Sequence, residues 1–297
     1  MRRIIAASIL IVQLLGIVQP ATAGEAGIVL TDAVQLKLGD AFTAEGEYYR
    51  AITEYKKLLI LFPDSPLADS ALFNVGMAYY RGEEYEPAAR TFASFRKRFP
   101  TGSRTAAAAY QQGLALVRLN LPDQAAEAFE AAEAASAPTS ADQRKAVFGK
   151  VLAEYDRGNT AASRRDLEHF AEKYPHDAGA KQAATALSTL EQHRELPEKS
   201  PLVAGMLSAI VPGSGHIYAG HYGDGITALL LNGLFIAGTI VAVKQENYAI
   251  AGVAGLIGLP FYIGNIYGAA NAATKWNLAL RKDLRGKLAV TLEYPFW

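Results

Sequence analysis

Five side chains able to carry protons or bind a metal lie close together: His216, Tyr218, His221, Tyr222 and Asp224. Two imidazoles and a carboxylate could make a divalent-metal site. The histidines are five residues apart across a glycine-rich break, which fits no common ligand pattern. The expectation is therefore anchoring, not catalysis. Tyr218 and Tyr222 would sit at a membrane–water interface, the glycines would permit a tight turn, and Asp224 would cap the helix that follows.

No other catalytic arrangement emerges. There is no glycine loop joining a strand to a helix, no G-x-S-x-G, no H-E-x-x-H and no pair of acids on an apolar pocket. His169, His176 and His193 are scattered among charged residues. The chain reads as non-enzymatic, with no cofactor and no metal. It contains no cysteine, which rules out disulfides, thiolate ligands, a Cys nucleophile and an acylated cysteine among its residues. Its 29 basic and 29 acidic side chains balance, which argues against nucleic acid as a partner.

That balance hides a partition. Residues 24–200 hold 21 Lys+Arg and 25 Asp+Glu, whereas from Pro201 to Thr274 only Asp224, Lys244 and Glu246 are charged. The final residues, 275–297, carry Lys275, Arg281, Lys282, Arg285 and Lys287 against two acids. The N-terminus has its own pattern: Arg2 and Arg3, an uncharged apolar run from Ile4 to Val18, Pro20, then Ala21-Thr22-Ala23. This is the layout of an export signal with a small-residue cleavage site, assigned to 1–23.

Residues 24–190 repeat. Gly39, Gly76 and Gly113 are 37 apart, as are Ala51, Ala88 and Ala125, and Tyr55, Phe92 and Phe129. A degraded fourth copy contains Gly149, Leu152, Ala161 or Ala162, Leu167 and Phe170. Phe62-Pro63, Phe99-Pro100, Pro138 and Tyr174-Pro175 close the copies, because proline cannot continue a helix. The glycine belongs where two helices cross closely, the alanine at the same crossing, and the aromatic on the same face four residues on.

This pattern resembles the tetratricopeptide (TPR) repeat. Its long period and the Phe-Pro-x-Ser-x-x-Ala linkage resemble the TPR subtype of Gram-negative periplasmic envelope proteins. These include the TPR lipoprotein of the outer-membrane protein assembly machine and the periplasmic TPR protein coupled to the Tol–Pal system. The resemblance implies an all-α solenoid of about four helical hairpins whose concave face binds peptides. In repeat register that face falls near Leu36 and Asp40, then Phe73, Met77 and Tyr80, then Tyr110, Leu114 and Val117. Of these, Phe73, Met77, Tyr80, Tyr110 and Leu114 are the candidate partner-binding groove. Lysine and asparagine, which grip a C-terminal carboxylate in some TPR grooves, are missing at Leu36 and Asp40.

A polar linker (191–200) leads to a membrane module (201–274) and a basic tail (275–297). The module holds two long uncharged runs, Ile226–Val243 and Tyr248–Ala272, joined by Lys244-Gln245-Glu246-Asn247. These read as a transmembrane helical hairpin. Gly264 and Gly268 form a small-residue stripe suited to packing against another helix or to self-association. The segment 212–225, with Pro212, Gly213, Gly215, Tyr218, Gly220 and Asp224, resembles the signature of two-transmembrane (TM-two) modules, which implies architecture and no activity.

The reading is a periplasmic scaffold or adaptor tethered to the inner membrane of a bacterial envelope, binding envelope proteins in assembly, secretion or division. The alternative is a subunit of a transport or insertion complex whose working part is the membrane module. The positive-inside rule favours a cytoplasmic tail, reached by a third crossing through 201–219 as a broken helix; the alternative is a re-entrant segment that keeps 202–211 on one side and leaves the basic tail in the periplasm.

Overall fold

The computed structural model describes residues 30–138, 140–194 and 198–294. The proposed export signal lies outside them. All regular structure among the described residues is helical. The array comprises α1 (Asp32–Ala44), α2 (Tyr48–Leu61), α3 (Ala68–Arg81), α4 (Tyr85–Arg98), α5 (Thr105–Arg118), α6 (Pro122–Ala135), α7 (Ala141–Asp156), α8 (Thr160–Lys173) and α9 (Ala178–Arg194). Each packs on the next, giving four hairpins and a closing helix.

The packing follows from the repeated residues. In α4, Ala88, Ala89, Phe92 and Phe95 are buried, while Glu86, Arg90 and Lys97 face water. Ala51, Ala88 and Ala125 have no exposed surface. A Cβ on Gly113 would stand 2.6 Å from the Phe129 ring, and one on Gly149, in the next repeat, 2.7 Å from it. One ring thus joins two hairpins, and only glycine leaves room for it. Each hairpin turns through one left-handed residue: Gly46, Glu83, Asn120 and Gly158. In the second hairpin that conformation falls on Glu83, not on the neighbouring Gly82.

The C-terminal part contains α10 (Pro201–Ile210), α11 (Ser214–Tyr218), α12 (Tyr222–Lys244) and α13 (Tyr248–Thr291). Helices α12 and α13 are long and apolar enough to cross a membrane, and little of their apolar stretches is buried (11% and 17%). Their outward faces carry bare leucines such as Leu230, Leu234 and Leu256. They pair antiparallel, with Phe235 stacked on Phe261 at 5.5 Å between centroids.

Two expectations need correction. Helix α12 begins at Tyr222, so Asp224 lies inside its first turn, not at its cap, which His221 occupies. Helix α13 runs on through residues 274 and 275, for 44 residues in all, about 66 Å at 1.5 Å per residue. Residues 201–219 do not extend as one broken helix. Helix α10 has ten residues, about 15 Å, and the chain then doubles back. Ser200 N–H donates to the Tyr218 hydroxyl at 3.1 Å, and a Cβ on Gly220 would lie 3.4 Å from Lys199 Nζ. The two ends of the segment therefore lie side by side.

Candidate functional site

The five candidate groove residues come from the first helices of two repeats: Phe73, Met77 and Tyr80 from α3, Tyr110 and Leu114 from α5. All belong to or pack against one apolar cluster. Phe73 meets the rings of Phe92 and Phe95 edge-on, at 5.6 and 5.9 Å between centroids, with the Arg104 guanidinium 5.5 Å from its centre. Tyr80 packs on Tyr85 and Tyr110 on Phe129, at 5.4 and 5.6 Å. Burial, with smaller contributions from Tyr80 and Asp142, pushes the Tyr110 hydroxyl up to about 12. Asp40 is occupied within the array, accepting from the Tyr55 hydroxyl at 2.7 Å and Asn74 at 3.1 Å.

The tail packs on the repeats that follow, and its end reaches the Phe129 ring. Helix α13 packs against α7 and α9, and Leu284, Leu288, Ala289, Leu292 and Tyr294 are buried in the same cluster as Leu114 and Phe129. The Tyr294 ring stands edge-on to Phe129, at 6.3 Å and 79°. Burial, reinforced by Tyr110, raises the Tyr294 hydroxyl well above its ordinary value. Polar contacts fix the helix in place. Arg285 Nε donates to both carboxylate oxygens of Asp156, at 2.7 and 2.9 Å, and Arg281 pairs with Glu198 at 3.0 Å. The Tyr155 hydroxyl donates to the Arg281 carbonyl at 3.2 Å. Hydrogen bonding to Asp156 holds the Arg285 guanidinium above its usual range despite partial burial.

The 212–225 motif builds a re-entrant turn against α13. Pro212 lies in the turn, and Gly213, with φ of 88°, donates its N–H to Asn265 Oδ1 at 3.0 Å. Asn265 Nδ2 donates back to the Ser208 carbonyl at 3.0 Å. Gly215 N–H donates to Ser208 Oγ at 3.1 Å, and a Cβ there would collide with the Ala204 carbonyl. Tyr218 holds Ser200, Gly220 passes beside the Trp276 ring, and Asp224 meets His221 Nδ1 at 3.2 Å on an exposed rim. His216 lies apart from that pair, against Gly268, where a Cβ would stand 3.0 Å from its ring. The histidines and Asp224 therefore do not converge, and no group of three metal-ligating side chains occurs among the described residues. His216 also covers Gly268, so Gly268 is not open for self-association, whereas Gly264 has nothing within 4 Å of its would-be Cβ.

With this geometry in place, comparison with known proteins assigns the array. A family model described as "YfiO: Outer membrane lipoprotein" matches residues 36–192, more than half of the chain. The chain belongs to the YfiO outer membrane lipoprotein family. A solved tetratricopeptide repeat protein from Parabacteroides merdae is similar at 12% identity, covering 80% of this chain and 98% of that one, with a TM-score of 0.46. No curated protein matches the chain. Unlike a lipoprotein as the family is described, none of the 297 residues offers a cysteine for an acyl chain.

The YfiO match ends at residue 192, and the residues that sequence reasoning missed lie beyond it. Leu284, Leu288 and Leu292 sit four apart on one helical face, a visible signal masked by the basic residues around them. Arg285 reads as one more basic tail residue, and nothing local pairs it with Asp156.

Proposed function

We propose that this YfiO-family protein is a non-catalytic envelope scaffold. Its repeat array docks a protein segment on the concave face, and its C-terminal hairpin seats in the inner membrane with the array in the periplasm. The observation that carries this reading is the continuity of α13, a single helix from the hairpin turn at Tyr248 to Thr291, beside the array. About 30 Å of it suffices for the hydrocarbon core. The remainder holds the array at a set height and orientation above the bilayer. The array-side boundary carries Tyr218, Tyr222 and Trp276, with Lys199 Nζ 3.6 Å from a Trp276 ring centre, and the far end carries Lys244 and Tyr248. Aromatic and basic residues at both ends of an apolar hairpin match an interfacial belt. Bare leucines between the belts give the hairpin a lipid-facing surface, and helical hydrogen bonding satisfies its backbone there.

The test is photo-crosslinking of the full chain in intact cells. A crosslinking residue at Met77 or Tyr80 is expected to capture a discrete envelope protein, whereas one at Ile60, exposed on α2, captures none. Equal capture at all three positions, or none at Met77 and Tyr80, rejects the groove as the docking face.

A further inference from the structure

We infer that the tail is a built-in occupant of the apolar trough that α7 and α9 form beside the candidate groove, and that the partner it stands in for is an amphipathic helix. That helix carries leucines at i, i+4 and i+8 and a basic residue at i+1. This deepens the scaffold reading and rests on it.

The tail serves as a template for the ligand. Leu284, Leu288 and Leu292 occupy the three apolar positions, and all are buried against the array. Arg285, the residue after the first leucine, reaches the Asp156 carboxylate with two hydrogen bonds. The recognition face is therefore an apolar trough with an acidic group at one margin, which selects a leucine-striped helix with one correctly placed cation.

Two features make the closure reversible. The Tyr294 hydroxyl is buried with no hydrogen-bond partner, so docking leaves one polar group uncompensated. The Arg285–Asp156 pair also keeps water access, with side chains 31% and 23% exposed, so its charges can be rehydrated on release. A partner with the same stripe and a satisfied polar end would compete for the site. Because the two occupants exclude one another, the apparent affinity for a partner falls by the fraction of molecules whose trough is open.

The experiment uses the full chain in lipid nanodiscs and, as probe, a fluorescein-labelled peptide of residues 279–294. In Arg285→Glu the internal tail is repelled by Asp156 while the array is unchanged. The peptide is expected to bind this variant at least about tenfold more tightly than wild type, as for a trough about nine-tenths closed. Asp156→Lys should bind the wild-type peptide weakly and a peptide carrying Arg285→Glu well, and that rescue also reports an intact array. Equal binding to wild type and Arg285→Glu overturns the inference, as does failure of the charge-swapped pair. Crosslinks at Met77 that persist while the peptide fails to bind leave the scaffold reading standing without the internal occupant. Peptide binding without crosslinks in cells supports the occupant and rejects the scaffold.

Discussion

Arg285 reaches back across 129 positions of sequence to place its Nε 2.7 and 2.9 Å from the two carboxylate oxygens of Asp156. Asp156 is the last residue of α7, in the repeat array, and Arg285 lies near the end of a helix that begins in the apolar hairpin. The pair joins the two halves of the molecule. Because it is neither fully exposed nor sealed from water, Asp156→Ala should weaken tail docking by about 1–2 kcal/mol, between the surface and buried limits. Hydrogen exchange of residues 284–294 in the full chain measures this, and unchanged protection would count against the contact.

Tyr294→Phe should strengthen docking. The hydroxyl makes no hydrogen bond in its buried position, so removing it relieves an uncompensated cost of about 1 kcal/mol. Slower exchange in the tail is the expected outcome, and faster exchange would show that the hydroxyl has a partner.

Alkali should release the tail. Burial raises the hydroxyls of Tyr110 and Tyr294, so the folded state holds these protons more tightly than an unfolded chain. Their contribution is fully present below about pH 10, the ordinary tyrosine value, and is lost as pH rises through the folded value, about 12 for Tyr110. A fluorophore on Lys282→Cys should report release in that window, with a smaller change in Tyr294→Phe.

In the array, Gly113→Ala should destabilise by about 1–3 kcal/mol, because the new methyl meets a Phe129 ring already held by Gly149 on its other side. Ala88→Leu, at a position with no exposed surface, should cost a similar amount. Gly223→Ala, with open space around it, is the control. Equal melting temperatures for all three variants would refute the helix crossings.

Topology has a clean test because the chain has no cysteine. The tail packs on the array, so both lie on one side of the membrane if α12 and α13 cross. A membrane-impermeant thiol reagent applied from the periplasm should label Lys282→Cys and not Gln245→Cys. The reverse pattern would restore a cytoplasmic tail and require the α13 contacts with α7 and α9 to be broken in cells.

Much of the array was legible from sequence, since a TPR hairpin is held by contacts between residues close along the chain. Gly113 and Phe129 recur with the same spacing as Gly76 and Phe92, so composition and period alone locate the crossings. The apolar hairpin was legible for a similar reason, as uncharged runs of that length have few other uses. What the sequence could not determine is where residues 275–294 go. Leu284, Leu288 and Leu292 announce a helical face that wants burial, yet the trough that buries it is built from α7 and α9, more than ninety residues earlier. The positive-inside rule counts Arg285 as a free cation drawn to the cytoplasm. Tertiary structure pairs it with Asp156, and a local charge count contains no term for a partner supplied by distant folding. The placing of Phe73, Met77, Tyr80, Tyr110 and Leu114 on the first helices of their repeats follows from the repeat register alone. That the chain's own tail is packed into the same cluster was decided only when the whole molecule closed on itself.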